Sequence, residues 1–361
     1  MAKILIAPDS FKGSATSAQV AKALADGWKV SRPSDEIVIA PFADGGEGTL
    51  DCIESVTPES ARIPITVQGA TGIEHHSSWL LVGSDTAVIE MATLCGITTV
   101  DELDPLGAHS YGLGQAIKAA LDDDRVNEIL IAVGGSASTD AGMGALSALG
   151  FKWLDDAGKE LARGGGDLHR LAHVETPANH RNLPRGIKVL VDVQSPLTGL
   201  NGAAHIFAPQ KGADAAQVEQ LDKGLAHFLK VLYVEDRAGF GAAGGVSCGL
   251  AILLGATIVS GVTTIAELIG LQEKIKLSDC VITGEGSFDD QSYRGKAVGY
   301  VLEMAKEIER PVMIACGVNK NEASPLILSL IELAPSVQSA ITDSQRWLIE
   351  CGKGLAARFN H

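Results

Sequence analysis

Four apolar runs in this chain each empty into a turn of glycine, small hydroxyl and charged residues: "KILIAPDSFKGS", "DEIVIAPFADGGEGT", "EILIAVGGSASTDAGMG" and "CVITGEGSFDDQS". A buried strand leading through such a turn into a helical pattern is the repeating unit of a parallel sheet covered on both faces. In these sheets ligands gather beyond the carboxyl ends of the strands. One such turn is ordinarily just a tight turn needing a positive φ. Four of them, all carrying Asp, Glu or Lys, point to an active site.

The strand and helix rhythm is clearest at the two chain ends. In residues 1–68, "KILIAPDS", "DEIVIAP" and "ARIPITVQ" read as strands, and "SAQVAKALADGWKV", with Ser17 as N-cap, and "GEGTLDCIESV" as helices. Residues 272–361 repeat it, with strands "SDCVITGEG", "RPVMIACG" and a weaker "SVQSAITD", and helices "KAVGYVLEMAKEI" and "SQRWLIECGKGLAARF". The middle differs. "SSWLLVGSDTAVIEMA" has the pattern of a hairpin, "IKVLVDV" that of a strand, and 158–186 that of a loop. A chain of 361 residues is long for one core. The expected fold is therefore α/β with two lobes: a doubly wound parallel sheet built from 1–68 and 272–361, and an inserted mixed α/β domain over 69–271. The active site is expected in the cleft between them.

Charge narrows the function. A net charge of −15 without any local Lys/Arg cluster argues against nucleic acid and anionic membrane as partners. The longest apolar stretch, "GLAILLGATIVSGV", is too short and glycine-broken to span a bilayer. The chain opens directly on a strand pattern rather than a secretory leader. Its six cysteines show no C-x-x-C pair and read as buried small hydrophobes. A cytoplasmic protein is expected, and a homo-oligomer is compatible with the sequence. His75 and His76 read as a solvated turn without metal-ligand spacing.

The candidate residues come from the loops. Gly134 and Gly135 leave room for backbone N–H groups to approach a phosphate, and Ser136, Ser138 and Thr139 add hydroxyls at a helix start. The competing reading is a capped helix start with Asp140 at the cap. That loop has no lysine, so the cation must come from elsewhere. Lys12, beside Asp9 and Ser10, is one source, unless it is simply solvated. Lys211, after Gln210 in "PQKGAD", is either a phosphate contact or part of a surface turn. Asp44 and Glu47 flank two glycines and suit Mg²⁺, or they cap the following helix. Glu285, Asp289, Asp290 and Lys296 belong to the fourth loop. Asp192, at the end of "VLVDV", ranks first as general base and Asp289 second, the alternative for Asp192 being turn capping.

Taken in order, "IAPDSFKGS", "PFADGGEGT", "GGSASTDAGMG", "DVQSPLTG", "PQKGA" and "TGEGSFDDQS" resemble the bacterial glycerate kinase family over essentially the whole chain. The resemblance implies a flavodoxin-like lobe from both chain ends, an inserted α/β lobe, and ATP-dependent phosphorylation of glycerate with Mg²⁺. It further implies 2-phosphoglycerate as the usual product, with 3-phosphoglycerate the other outcome. Thr139 stands where relatives often have Asn, and His109 and Gln115 where they often have Thr and Glu, which bears on substrate preference. Another small hydroxy acid as acceptor and a non-catalytic sensor of a phosphorylated metabolite are the alternatives. The carboxylate density argues against the sensor. A nicotinamide-linked dehydrogenase lacks its G-x-G-x-x-G after the first strand.

Overall fold

A computed structural model describes residues 1–359 apart from 179–180, 294–296, 323 and 325, so Lys296 lies outside the described residues. The strands are β1 (Lys3–Ile6), β2 (Glu36–Ile39), β3 (Ser60–Gln68), β4 (Glu74–Val82), β5 (Thr86–Glu90), β6 (Glu128–Ala132), β7 (Lys152–Leu154), β8 (His173–Glu175), β9 (Ile187–Leu190), β10 (Thr257–Val259), β11 (Cys280–Phe288), β12 (Val312–Asn319) and β13 (Ile327–Ser329). The chain divides into two compact units, one of residues 1–44, 51–58 and 262–361, the other of 45–50 and 59–261. Among the described residues no helix is long and apolar enough to cross a membrane.

The first unit holds a five-stranded, all-parallel sheet in the order β13-β12-β11-β1-β2. Counted along this unit's own segments the order is 2-1-3-4-5, the flavodoxin-like arrangement, whose switch point lies between β1 and β11. Ile4, Ile6, Cys280 and Ile282 fill its core with the helices Ser17–Ser31 and Ser344–Arg358. Thr16, not Ser17, caps the first of these helices, forming a reciprocal capping box with Gln19.

One buried carboxylate fastens this helix to the sheet. Asp35, 1% exposed, accepts hydrogen bonds from Ala2 N (2.9 Å), Trp28 Nε1 (3.2 Å) and Arg32 Nε (2.5 Å). Burial alone would raise its pKa, but Arg32 and the two N–H donors hold it at about 2. A depressed folded pKa gives stability that is present above the ordinary carboxylate value and lost as pH falls toward 2. Allowing for solvent screening, that linkage is worth about 1 to 2 kcal/mol. Asp35→Asn turns an amide against three donors. It should lower stability by about 2 to 4 kcal/mol at pH 6, with a smaller gap at pH 3. Urea unfolding at the two pH values checks this, and an equal gap at both would refute the linkage.

The second unit carries a six-stranded sheet in the order β10-β9-β6-β5-β4-β3 and a two-stranded β7-β8 pair. Strands β5, β6, β9 and β10 are parallel, while β4 runs antiparallel to both β3 and β5. Every residue of β5 and β6 is buried, as a two-sided parallel sheet demands.

Several sequence expectations shift here. "ARIPITVQ" leaves the first lobe, because β3 pairs over nine residues with β4. The boundary accordingly falls after residue 58, not 68, and the later one after 261, not 271. "SVQSAITD" is no strand: Ser336 accepts a hydrogen bond from Ser339 N (3.1 Å) and caps a helix over Val337–Thr342. His75 and His76 lie in β4, where His75 Nε2 meets Thr93 O (2.9 Å) and His76 Nδ1 meets Thr66 Oγ1 (2.9 Å). All six cysteines are free and buried.

Candidate active site

In the first unit, the polar groups gather at the switch point. Past β1 the chain keeps pairing with β11, through Ala7 N to Ile282 O (2.7 Å) and Asp9 N to Gly284 O (2.8 Å). It then closes a tight loop with Phe11 N to Ala15 O (2.8 Å), buried Phe11 serving as anchor. Asp9 is thus fixed at the strand end, its Oδ1 accepting from Ser10 N (2.6 Å). Burial pushes its pKa up to about 7. The Asp44 charge adds to this, Ser10 N–H and Lys12 oppose it, and Glu285 raises it further. A carboxyl group with such neighbours is poised to exchange a proton near neutrality. Lys12 is exposed beside it.

Asp289 follows directly after β11. It is half-buried, starts the turn Asp290–Tyr293 by accepting from Gln291 N (3.0 Å), and pairs with Lys320 (3.5 Å).

In the second unit the glycine-rich loop after β6 is packed closely by its neighbours. Gly134 N is used by Gly45 O (3.2 Å), and a Cβ on Gly134 would lie 2.6 Å from Gly46 Cα, so one glycine turn packs into the other. Ser138 and Thr139 are fully buried, and their hydroxyls have no hydrogen-bond partner among the described residues. They are pressed under Gly244, whose added Cβ would fall 2.3 Å from Ser138 O. The following helix, Met143–Ala148, is six residues long, and its start is occupied. Asp140, completely buried, accepts from Gly142 N (3.1 Å), Gly144 N (3.0 Å), Ser110 N (2.8 Å) and Ser110 Oγ (2.8 Å). This capping role was the competing reading of the loop.

The cation beside this loop is Lys211. It is 2% exposed, not on a surface turn, and its Nζ donates to Ser136 Oγ (2.9 Å) and to Ser138 O. Burial lowers its pKa to about 8 against the opposing pull of Asp140 and Cys95. Ser136, 8% exposed, is the hydroxyl of the loop that Lys211 holds in place, beside Gly135 at φ +74°.

Glu47 is exposed, whereas Asp44 is half-buried and belongs to the other unit. The helix start that these residues were candidates to cap is capped from elsewhere: Glu90 accepts from Gly48 N (3.0 Å) and Leu50 N (2.9 Å). Asp192 lies two residues beyond β9 and is half-buried, not within a buried strand. Its Oδ1 accepts from Ser260 Oγ (2.8 Å) and Gly261 N (3.1 Å), where the Gly261–Leu268 helix begins.

Among the described residues no group of three His, Cys, Asp or Glu side chains forms a ready-made metal cage. Sequence reading missed Glu90, although a Glu ending a largely apolar run is the same signal that singled out Asp192. It also missed Asp236, which accepts from Leu197 N (2.8 Å) and Thr198 N (2.9 Å) and so anchors the loop after Asp192.

The glycerate kinase family model matches residues 4–360. Glycerate 2-kinase of Escherichia coli (strain K12) is 39% identical over 325 residues, 87% of this chain and 85% of that protein. Glycerate kinase of Bacillus subtilis (strain 168) is 34% identical over 98% of this chain and 97% of its own length. A crystal structure from Salmonella typhimurium LT2, described as a "putative glycerate kinase 2", superposes with a TM-score of 0.83 at 33% identity, covering 99% of this chain and 97% of that one. On the family match across its length and on these relatives, the chain belongs to the glycerate kinase family.

Proposed function

We propose that the protein transfers the γ-phosphoryl group of ATP to the 2-hydroxyl of D-glycerate, giving 2-phosphoglycerate and ADP. The observation that carries this reading is the crowding of Asp9, Asp44 and Glu285 beside Lys12 at the switch point of the first sheet. A site that only binds a phosphorylated metabolite gains nothing from three carboxylates. A phosphoryl transfer uses them to take a proton and to hold a cation.

Asp9 is the proton acceptor for the attacking hydroxyl in this reading. It is rigidly held by the β1–β11 pairing, and burial together with the Asp44 charge makes the carboxylate more basic than usual. Asp192 is a positioning residue, since its Oδ1 is engaged at a helix start. Lys12 counters phosphate charge. Lys211 holds Ser136 toward its anion. The unit's carboxylates are hard oxygen donors that fit Mg²⁺, which ordinarily takes one or two of them together with substrate phosphates. Asp44 and Glu285 would hold it, and it would supply charge neutralisation on the transferred group.

A coupled ADP-release assay with a panel of small hydroxy acids, followed by phosphorus NMR of the product, tests the proposal. ADP release should depend on D-glycerate, and the phosphate should sit on the 2-oxygen. Tight binding of a phosphorylated acid without turnover would instead identify a sensor.

A further inference from the structure

We propose that Arg163 recognises the carboxylate of the hydroxy acid, an inference that rests on the kinase reading above. Arg163 lies in "LARGGGDLHR", a stretch whose sequence says only loop. The structure makes it a fixed fork. Its guanidinium carbon stands 3.6 Å from the centroid of the Tyr111 ring, and Nη1 donates to Gln68 Oε1 (2.6 Å). Gln68 is itself held, because its N–H donates to Gln115 Oε1 (2.7 Å). Side-chain entropy that a free arginine loses on binding is therefore already spent.

The fork stands at the productive edge of its sheet. β3 is antiparallel to β4, and β4 to β5, so Gln68 at the end of β3 shares an edge with Glu90 at the end of β5 and Ala132 at the end of β6. The loop that follows Arg163 packs on the glycine-rich turn: a Cβ on Gly165 would lie 2.0 Å from Thr139 O.

Its charge forms no ion pair among the described residues. Arg125, Arg170 and Arg185 each pair with an aspartate at 2.5 to 2.8 Å. Arg163 has no carboxylate within 4.0 Å among the described residues, although the chain carries 44 acidic side chains against 29 basic ones. Of its five N–H donors, one serves Gln68. A planar, stacked guanidinium with donors to spare matches a carboxylate bidentately, which a lysine cannot do. His109, which burial holds below its ordinary pKa against Asp140, with Arg163 adding to the lowering, makes a T-shaped contact with the same Tyr111 ring. A neutral imidazole there leaves Arg163 as the positive charge beside the Tyr111 ring.

The test measures KM for D-glycerate and for ATP in the full chain, with melting temperature as a control, for wild type, R163Q and R163K. R163Q should raise KM for glycerate by about 10- to 100-fold, the worth of a charged hydrogen-bonded pair. KM for ATP should stay within about twofold. R163K keeps stem and charge but loses the fork, and should fall between the two. Unchanged glycerate KM in both variants overturns the inference, as does an increase in KM confined to ATP, which would make the ligand a phosphate. Absence of turnover with glycerate in the wild type itself would overturn the kinase reading and this inference with it, whereas normal wild-type turnover with a silent R163Q overturns this inference alone.

Discussion

Asp9→Asn lowers kcat by about 10²- to 10⁴-fold, the range that general-base assistance supplies, while the protein stays folded. The size is unchanged, so the β1–β11 pairing that positions the side chain survives. Stability should hold or rise slightly, because the substitution removes a carboxylate that burial, Asp44 and Glu285 all make unfavourable to ionise. KM for glycerate should change much less than kcat, since the lost interaction belongs to the transition state. Asp192→Asn is the paired measurement. The Asn keeps an oxygen at Oδ1 to accept from Ser260 Oγ and Gly261 N, so kcat should fall less than about tenfold. The reverse ranking would return the base role to Asp192. Recovery of the Asp9→Asn rate at raised Mg²⁺ would move Asp9 to the metal.

Much of the fold was legible because its signals are local. Apolar runs closed by acidic glycine turns marked β1, β2, β6 and β11, and the return of that rhythm after residue 271 announced a sheet made from both chain ends. What failed was what depends on partners far along the chain. Strand β3 looks like its neighbours in sequence, and only its nine-residue pairing with β4 places it in the other sheet. "SVQSAITD" carries the β-branched Val337, Ile341 and Thr342, yet its apolar residues fall at helical spacing and the Ser336 cap makes it a helix. The site shows the same division. A loop such as "VGGSASTDAGMG" displays glycine and hydroxyl groups but not which of them other loops cover. Gly46 occupies the space beside Gly134, and Gly244 lies over Ser138. Arg163 was invisible as a functional residue because its order comes from Gln68 and Tyr111, 95 and 52 positions earlier in the chain.

Lys211→Met should cost activity and not stability. Met fills nearly the same volume without a charge, and the lowered pKa of Lys211 means that burial costs its ammonium more than Asp140 and Cys95 return. Against this, Ser136 Oγ and Ser138 O lose their donor. The variant should therefore be at least as stable as the wild type at pH 7, while kcat/KM falls by about 10²-fold or more, as when a preorganised donor is removed from a reacting site. The pH dependence identifies the cause. The folded pKa of Lys211 is about 8, below the ordinary 10.5, so between those values the unfolded chain binds the extra proton. Wild-type stability consequently gains from this group as pH rises from 8 toward 10.5, by up to about 3 kcal/mol. Lys211→Met lacks that gain, and its stability relative to wild type should decline steadily across the same window. Guanidinium unfolding at pH 7, 8.5 and 10 measures the difference. A difference that stays constant with pH would mean that the lysine is not buried as a strained cation, and a variant with full activity would remove it from the site.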